Sequence, residues 1–226
     1  MHSQITTLTI FTFAPNERFW AFSQMALARR HLLNVQGLEF YKLMGAGRGI
    51  GFTREPDWGR YAFLGVWERE ENARTFMTSS AFMQSYQRHA ERVSTLYLHT
   101  LHSHGTWNRK EPFREREYEG EGNGEVAILT RASIRPERLK AFWKMVGPVS
   151  NALETAEGLR GSIGIGEFPL IRQATFSVWK SLEEMKAFAY KSTVHRDVIR
   201  RTRSEAWYQE DLFARFAVID QVGKFP

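Results

Sequence analysis

One order of elements is spelled twice along the 226 residues, and that repetition limits the folds open to the chain. In the first half, residues 5–13 are rich in β-branched and aromatic side chains and read as a strand. Pro15 then opens a helical stretch holding Phe19, Phe22, Met25, Ala26 and Leu32–Leu33 near a 3.6-residue period. Residues 38–44 and 61–67 read as strands, 70–92 as a helix and 95–103 as a closing strand. In the second half the strands fall at 125–132, 162–167, 174–179 and 212–219. The helices there begin at Pro136 and Leu182 and run to residues 152 and 203. Both halves are βαββαβ. Residue echoes fix the register: Ala21-Phe22 with Met25 against Ala141-Phe142 with Met145, Gly37-Leu38 against Gly158-Leu159, and Val66-Trp67 against Val178-Trp179.

Each half therefore has the split-βαβ order, with both helices on one sheet face and the other face in need of cover. The expected fold is α+β: two tandem ferredoxin-like βαββαβ repeats packed sheet to sheet as a pseudo-dimeric α+β barrel. Residues 1–107 form the first repeat and 125–226 the second. Between them, residues 108–124 carry many charges and Gly120, Gly122 and Gly124, and read as a surface linker.

Composition removes several chemistries. The chain has no cysteine, which excludes disulfides, thiolate-ligated zinc or haem, iron–sulfur clusters and a cysteine nucleophile. The net charge of +6 is dispersed. Runs such as Arg29-Arg30-His31 and Arg200-Arg201-Thr202-Arg203 lie in helix-like segments and read as solvated faces, so no nucleic-acid partner is expected. No signal peptide or spanning segment is evident. The expectation is a cytoplasmic protein that a membrane can meet at its surface only.

Gly45-x-Gly47-x-Gly49-x-Gly51 falls between two strands, where no helix N-terminus follows to receive a phosphate, so it reads as a long hairpin loop walling a pocket. His99, His102 and His104 cluster on the closing strand of the first half. Alternation puts His102 and His104 on one face and His99 on the other, without a flanking acidic ligand. His195 lines up with Phe188, Ser192 and Ile199 at helical spacing and faces inward. Its counterpart in the first half is Met83, so an inward imidazole exists in one half only. A lone inward histidine is as a rule a satisfied core residue, and on spacing alone both readings stay open.

The segments WAFSQMALARR, GLEFYKLMGAGRGIGFTREPDWG, VAILTRASIRPERLKAFW, GIGEFPLIRQATFSVW and HRDVIRRTRSEAWYQEDLFARFAV resemble the spheroidene monooxygenase family of carotenoid biosynthesis over nearly the whole chain. More remotely, the chain is similar to haem-binding dimeric α+β barrel proteins. The resemblance implies a haem b cofactor in the second repeat, with His195 as the iron ligand and Phe188 and Ile199 beside it. Arg131 and Arg172 are implied as catalytic cations, holding a propionate or polarising bound oxygen, with Arg172 also touching the cofactor. Ser162 and Ser177 are candidate hydrogen-bond donors. An apolar, carotenoid-like substrate and a ferredoxin-type electron donor complete the expectation. A haem-dependent dehydratase or peroxidase, a cofactor-free monooxygenase and a haem carrier remain as alternatives.

Overall fold

The computed structural model describes residues 4–51, 53–116, 124–168, 170–191, 202 and 205–226. Its eight strands are β1 Ile5–Phe13, β2 Leu38–Gly47, β3 Pro56–Trp67, β4 Ala90–Gly105, β5 Val126–Ile134, β6 Leu159–Phe168, β7 Arg172–Trp179 and β8 Tyr208–Val222. They close into one antiparallel barrel in the order β1-β3-β2-β6-β7-β5-β8-β4. The halves thus run β4-β1-β3-β2 and β8-β5-β7-β6. They join edge to edge as well as face to face: β4 pairs with β8 over a long register, whereas β2 meets β6 only at Gly45–Gly166 and Ala46–Ile165. Closure removes the exposed edges that two separate sheets would leave.

Strand alternation sorts the side chains into two sets. Leu8, Ile10, Leu64, Leu96, Leu129, Ile163, Phe176 and Phe216 fill the barrel interior, as an eight-stranded barrel requires. The opposite set meets the helices: α1 Arg18–Leu27, α2 Glu70–Ser79 and α3 Ala81–His89 on the first half, α4 Leu139–Glu154 and α5 Leu182–Lys191 on the second. No helix among the described residues is long and apolar enough to cross a membrane.

The two echoes have physical causes. Gly37 and Gly158 lead into β2 and β6 with φ of +72° and +77°, the left-handed region where a side chain is strained. Trp67 and Trp179 are buried outward-facing indoles, and each N–H needs a partner. Trp67 donates to Thr7 Oγ1 and Trp179 to Ser177 Oγ, both at 2.9 Å.

Three expectations are corrected. The helix read over 70–92 is two helices, because Ser80 leaves the helical region and its hydroxyl caps α3 by accepting the Met83 N–H at 3.1 Å. The three strand histidines share one face. Thr100 opposes Phe216 and His102 opposes the next residue, Arg215, so Leu101 is the extra residue of a β-bulge that reverses the alternation. The start of the 108–124 segment is not a surface run: Pro112 is buried, and Phe113 is seated in the barrel core edge-on against Phe216.

Candidate active site

Two places hold polar groups that the sequence reading singled out, and they lie on opposite faces of the same sheet. The first is inside the barrel at one end. Arg131, on β5, is 2% exposed, and alternation turns it inward beside Leu129. Its guanidinium is paired with Glu210 of β8 and lies 3.8 Å from Glu167 of β6. Glu167 also takes the Lys42 ammonium at 2.6 Å and the Trp107 indole N–H at 2.7 Å. Both cations lie over the Trp107 ring, with Lys42 at 5.4 Å and Arg131 at 5.6 Å from its centroid. Two cations and two carboxylates balance, which is the condition for burying charge without a large penalty.

Arg131 is paired with Glu210, and its strand turns it into the barrel, the face opposite to the one that α4 and α5 cover. Arg172 opens β7 on the same inward-facing set as Ala174 and Phe176 and stands exposed at the barrel end, near enough to Lys42 to disfavour its charge. The Lys42, Glu167 and Glu210 partners were missed. Only the closed barrel brings four strands together there, and no spacing in the sequence signals it.

Burial pushes the Glu210 carboxyl up, but the Arg109 N–H, the Thr106 hydroxyl and the Arg131 guanidinium outweigh it and hold its pKa at about 2, against an ordinary 4.5. A carboxylate depressed by folding contributes stability that is complete above its unfolded pKa and is lost as pH falls through its folded one. Glu210→Gln is expected to cost about 3 kcal/mol at pH 7. The difference from wild type should shrink between pH 4.5 and 2, and urea unfolding across that range checks it.

The second place is the outward face of β5–β8, under α4 and α5. In the first half the matching face is one continuous core, from Phe11, Phe13 and Phe63 through Trp67, Phe76 and Phe82 to Tyr86. Among the described residues of the second half it falls into two groups. Ala132, Ile134, Phe142, Trp143 and Trp207 pack at one end, and Val126, Ile128, Leu153 and Trp179 at the other, the latter group joined by Phe188, Leu182 and Phe213. Thr130, in the middle of β5, is exposed between them, whereas Thr9 at the matching position is fully buried.

Register explains the gap. Ile5 opposes Trp67 as Val126 opposes Trp179, so positions can be matched pair by pair. Phe63 then corresponds to Thr175, Phe11 to Ala132, Tyr41 to Ser162 and Leu43 to Gly164. At each position the second half carries the smaller residue, where the first has three aromatic rings and a leucine. Ser162 is buried, yet its hydroxyl has no hydrogen-bond partner among the described residues. An orphaned buried hydroxyl costs about 1–3 kcal/mol and marks a place where a ligand atom can repay it. Ser177 is already occupied by Trp179.

The glycine-bearing hairpin closes over this face. β2 and β3 extend further than the sequence suggested, leaving residues 48–55 as the connection. Ile50 packs on the Trp179–Phe188 cluster, and Arg54 lies 5.5 Å over the Trp143 ring of the other cluster. A loop of the first half thus spans both walls of the gap in the second.

Phe188 stands on α5 beside Trp179, ring centroids 5.2 Å apart, on this same face. His195 and Ile199 lie outside the described residues. Among the described residues no three His, Asp or Glu side chains converge to hold a metal ion. His102 instead faces Glu115 at 3.0 Å, and His104 stacks on Phe213 at 5.3 Å.

The barrel with a helix-covered outer face is shared with solved structures. Two crystal structures of aldoxime dehydratase, the second with butyraldoxime, superpose with TM-scores of 0.62 and 0.60 at 10% identity. They cover 97% and 96% of this chain and 83% and 79% of theirs, a likeness of fold alone. No protein-family model matches the chain. Curated relatives are much nearer. Spheroidene monooxygenase of Rhodobacter capsulatus is 36% identical over 98% of this chain and 92% of its own length. Those of Cereibacter sphaeroides and Rubrivivax gelatinosus are each 32% identical, over 98% and 97% of this chain and 69% and 84% of theirs. The chain belongs to the spheroidene monooxygenase family.

Proposed function

We propose that the protein is a haem-dependent monooxygenase acting on a carotenoid, with haem b held between the outward face of β5–β8 and the helices that cover it. The halves are then two ferredoxin-like repeats, divided near residues 108–124, of which the second has given up its core for a cofactor. The observation that carries this reading is the cleared face. Where the first half packs Phe11, Tyr41, Leu43 and Phe63, the second has Ala132, Ser162, Gly164 and Thr175 between two apolar walls. A flat apolar group with one polar centre fits such walls and the Ser162 hydroxyl.

His195 is the proposed iron ligand, from its match to the family segment, with Phe188 and Ile199 as apolar neighbours. When bound, the haem supplies the iron at which dioxygen is activated with electrons from outside. One oxygen atom enters the substrate and the other leaves as water, which takes two electrons, from a ferredoxin-type donor in this proposal. Without cysteine in the chain, the axial push of a thiolate is absent, so oxygen activation must lean on hydrogen bonds around the site. Ser162 is the described group placed to give one. Trp179, Phe188 and Ile50 keep water from the pocket. Arg172 is kept as a candidate for a propionate at the exposed edge.

Titrating the purified chain with haemin is expected to produce a Soret band at one equivalent. With an acyclic carotenoid and a reductant, oxygen consumption should follow. A Soret band with turnover that needs neither oxygen nor reductant points to dehydratase or peroxidase chemistry. Oxygenation without a Soret band overturns the haem reading.

A further inference from the structure

The helix α1 and the turn after it present an apolar face that nothing among the described residues covers. Phe19 is 83% exposed, Phe22 54%, Leu27 52% and Leu33 66%. Phe19, Phe22 and Ala26 recur at helical spacing on the solvent side, while Ala21 on the opposite side is buried in the first-half core. Trp58 of β3, 51% exposed, extends the strip, packing edge-on against Phe22 at 5.7 Å. Scattered exposed apolar residues are ordinary; a run of four bulky ones along one element, joined by a tryptophan, is not.

The charges along α1 and the turn after it have one sign, and the acids beside Trp58, Asp57 and Glu55, are paired with Arg60 and Arg48. Residues 18–36 contain Arg18, Arg29 and Arg30, all exposed, and no Asp or Glu. The neighbouring acid, Glu17, is held by His89 at 2.7 Å. Exposed Phe and Leu with a tryptophan and a fringe of arginine is the composition that seats a short helix in the headgroup region of an anionic bilayer.

We infer that the face formed by Phe19, Phe22, Leu27, Leu33 and Trp58 with Arg18, Arg29 and Arg30 docks the protein on an anionic lipid surface. In sequence the face adjoins the loop that meets the second half. Trp58 follows the 48–55 loop, whose Ile50 and Arg54 lie over the second half's outward face. An apolar molecule dissolved in lipid would meet that loop first. The docking itself stands on the exposed face and needs neither haem nor substrate to be tested.

The experiment is sedimentation of the whole chain with vesicles of equal parts phosphatidylglycerol and phosphatidylcholine, and with phosphatidylcholine alone. Wild type is expected to pellet with the anionic vesicles, less so as salt is raised. Phe19→Ser with Phe22→Ser should lower the partition more than about tenfold, because two large apolar side chains no longer enter the interface. Arg29→Glu with Arg30→Glu should lower binding to the anionic vesicles alone. All these positions are exposed, so circular dichroism should match wild type. Wild type left in the supernatant overturns the inference, as do both variants pelleting like wild type. A wild-type dimer that the Phe variant dissociates, with no lipid binding, assigns the face to a second copy and overturns it too.

Discussion

Replacing His195 with alanine is expected to abolish the histidine-ligated Soret spectrum of the haem-loaded protein and to reduce turnover to background. The chain has seven histidines, and the structure narrows the alternatives. His89 is stacked on Trp20 at 3.9 Å and held by Glu17 on the first half, and His31 is exposed beyond α1. His102 and His104 share the outward face but are engaged with Glu115 and Phe213. Replacing His102 or His104 should therefore leave the band in place. Loss of a single strong iron–nitrogen bond cannot be compensated by apolar contacts, though haem can linger between the walls with a changed spectrum. Absorption spectra and single-turnover assays on the three variants check this. A normal band and full activity in His195→Ala, with loss of both in a strand variant, sinks the assignment.

The strands were legible because their chemistry is local. Runs such as residues 5–13 and 174–179 are rich in β-branched and aromatic residues, and both Gly-Leu and Val-Trp echoes answer to backbone sign and indole pairing. What failed depended on a single residue or on the closed barrel. Ser80 ends one helix by capping the next, which a periodicity count over 70–92 averages away. Leu101 adds one residue to β4 and moves His102 and His104 to the face of His99. Phe113 sits among charges that suggest a surface run, yet it fills the barrel interior. Arg131 enters the sequence reading through the family segment alone; its direction follows from parity, which sends it inward to Glu210. The site showed the reverse pattern. Thr175 and Gly164 attract no notice as residue types, and Ser162 is read only as a candidate hydrogen-bond donor. Their meaning appears when the register sets them against Phe63, Leu43 and Tyr41.

That contrast makes the most direct test of the pocket, which is to give the second half the first half's residue. Thr175→Phe restores at β7 the ring that Phe63 supplies at β3, where it is fully buried against Phe76 and Phe82. If the outward face were already filled, a phenyl ring forced into it would cost about 1–3 kcal/mol of stability through strain. With smaller residues at the four matched positions and two separate apolar clusters among the described residues, the ring instead has apolar surface to bury, so the haem-free variant should be as stable as wild type or more so. The same ring occupies the place proposed for the cofactor. Haem affinity should therefore fall more than about a hundredfold, equivalent to roughly 3 kcal/mol. Thr175→Ala, which leaves the volume open, should keep haem binding. The two readouts move in opposite directions, stability upward and cofactor binding downward, and a merely damaged fold cannot produce that pair. Urea unfolding of the haem-free chain and a haemin titration measure them. A Thr175→Phe chain that is destabilised while still binding haem at wild-type strength would place the cofactor elsewhere.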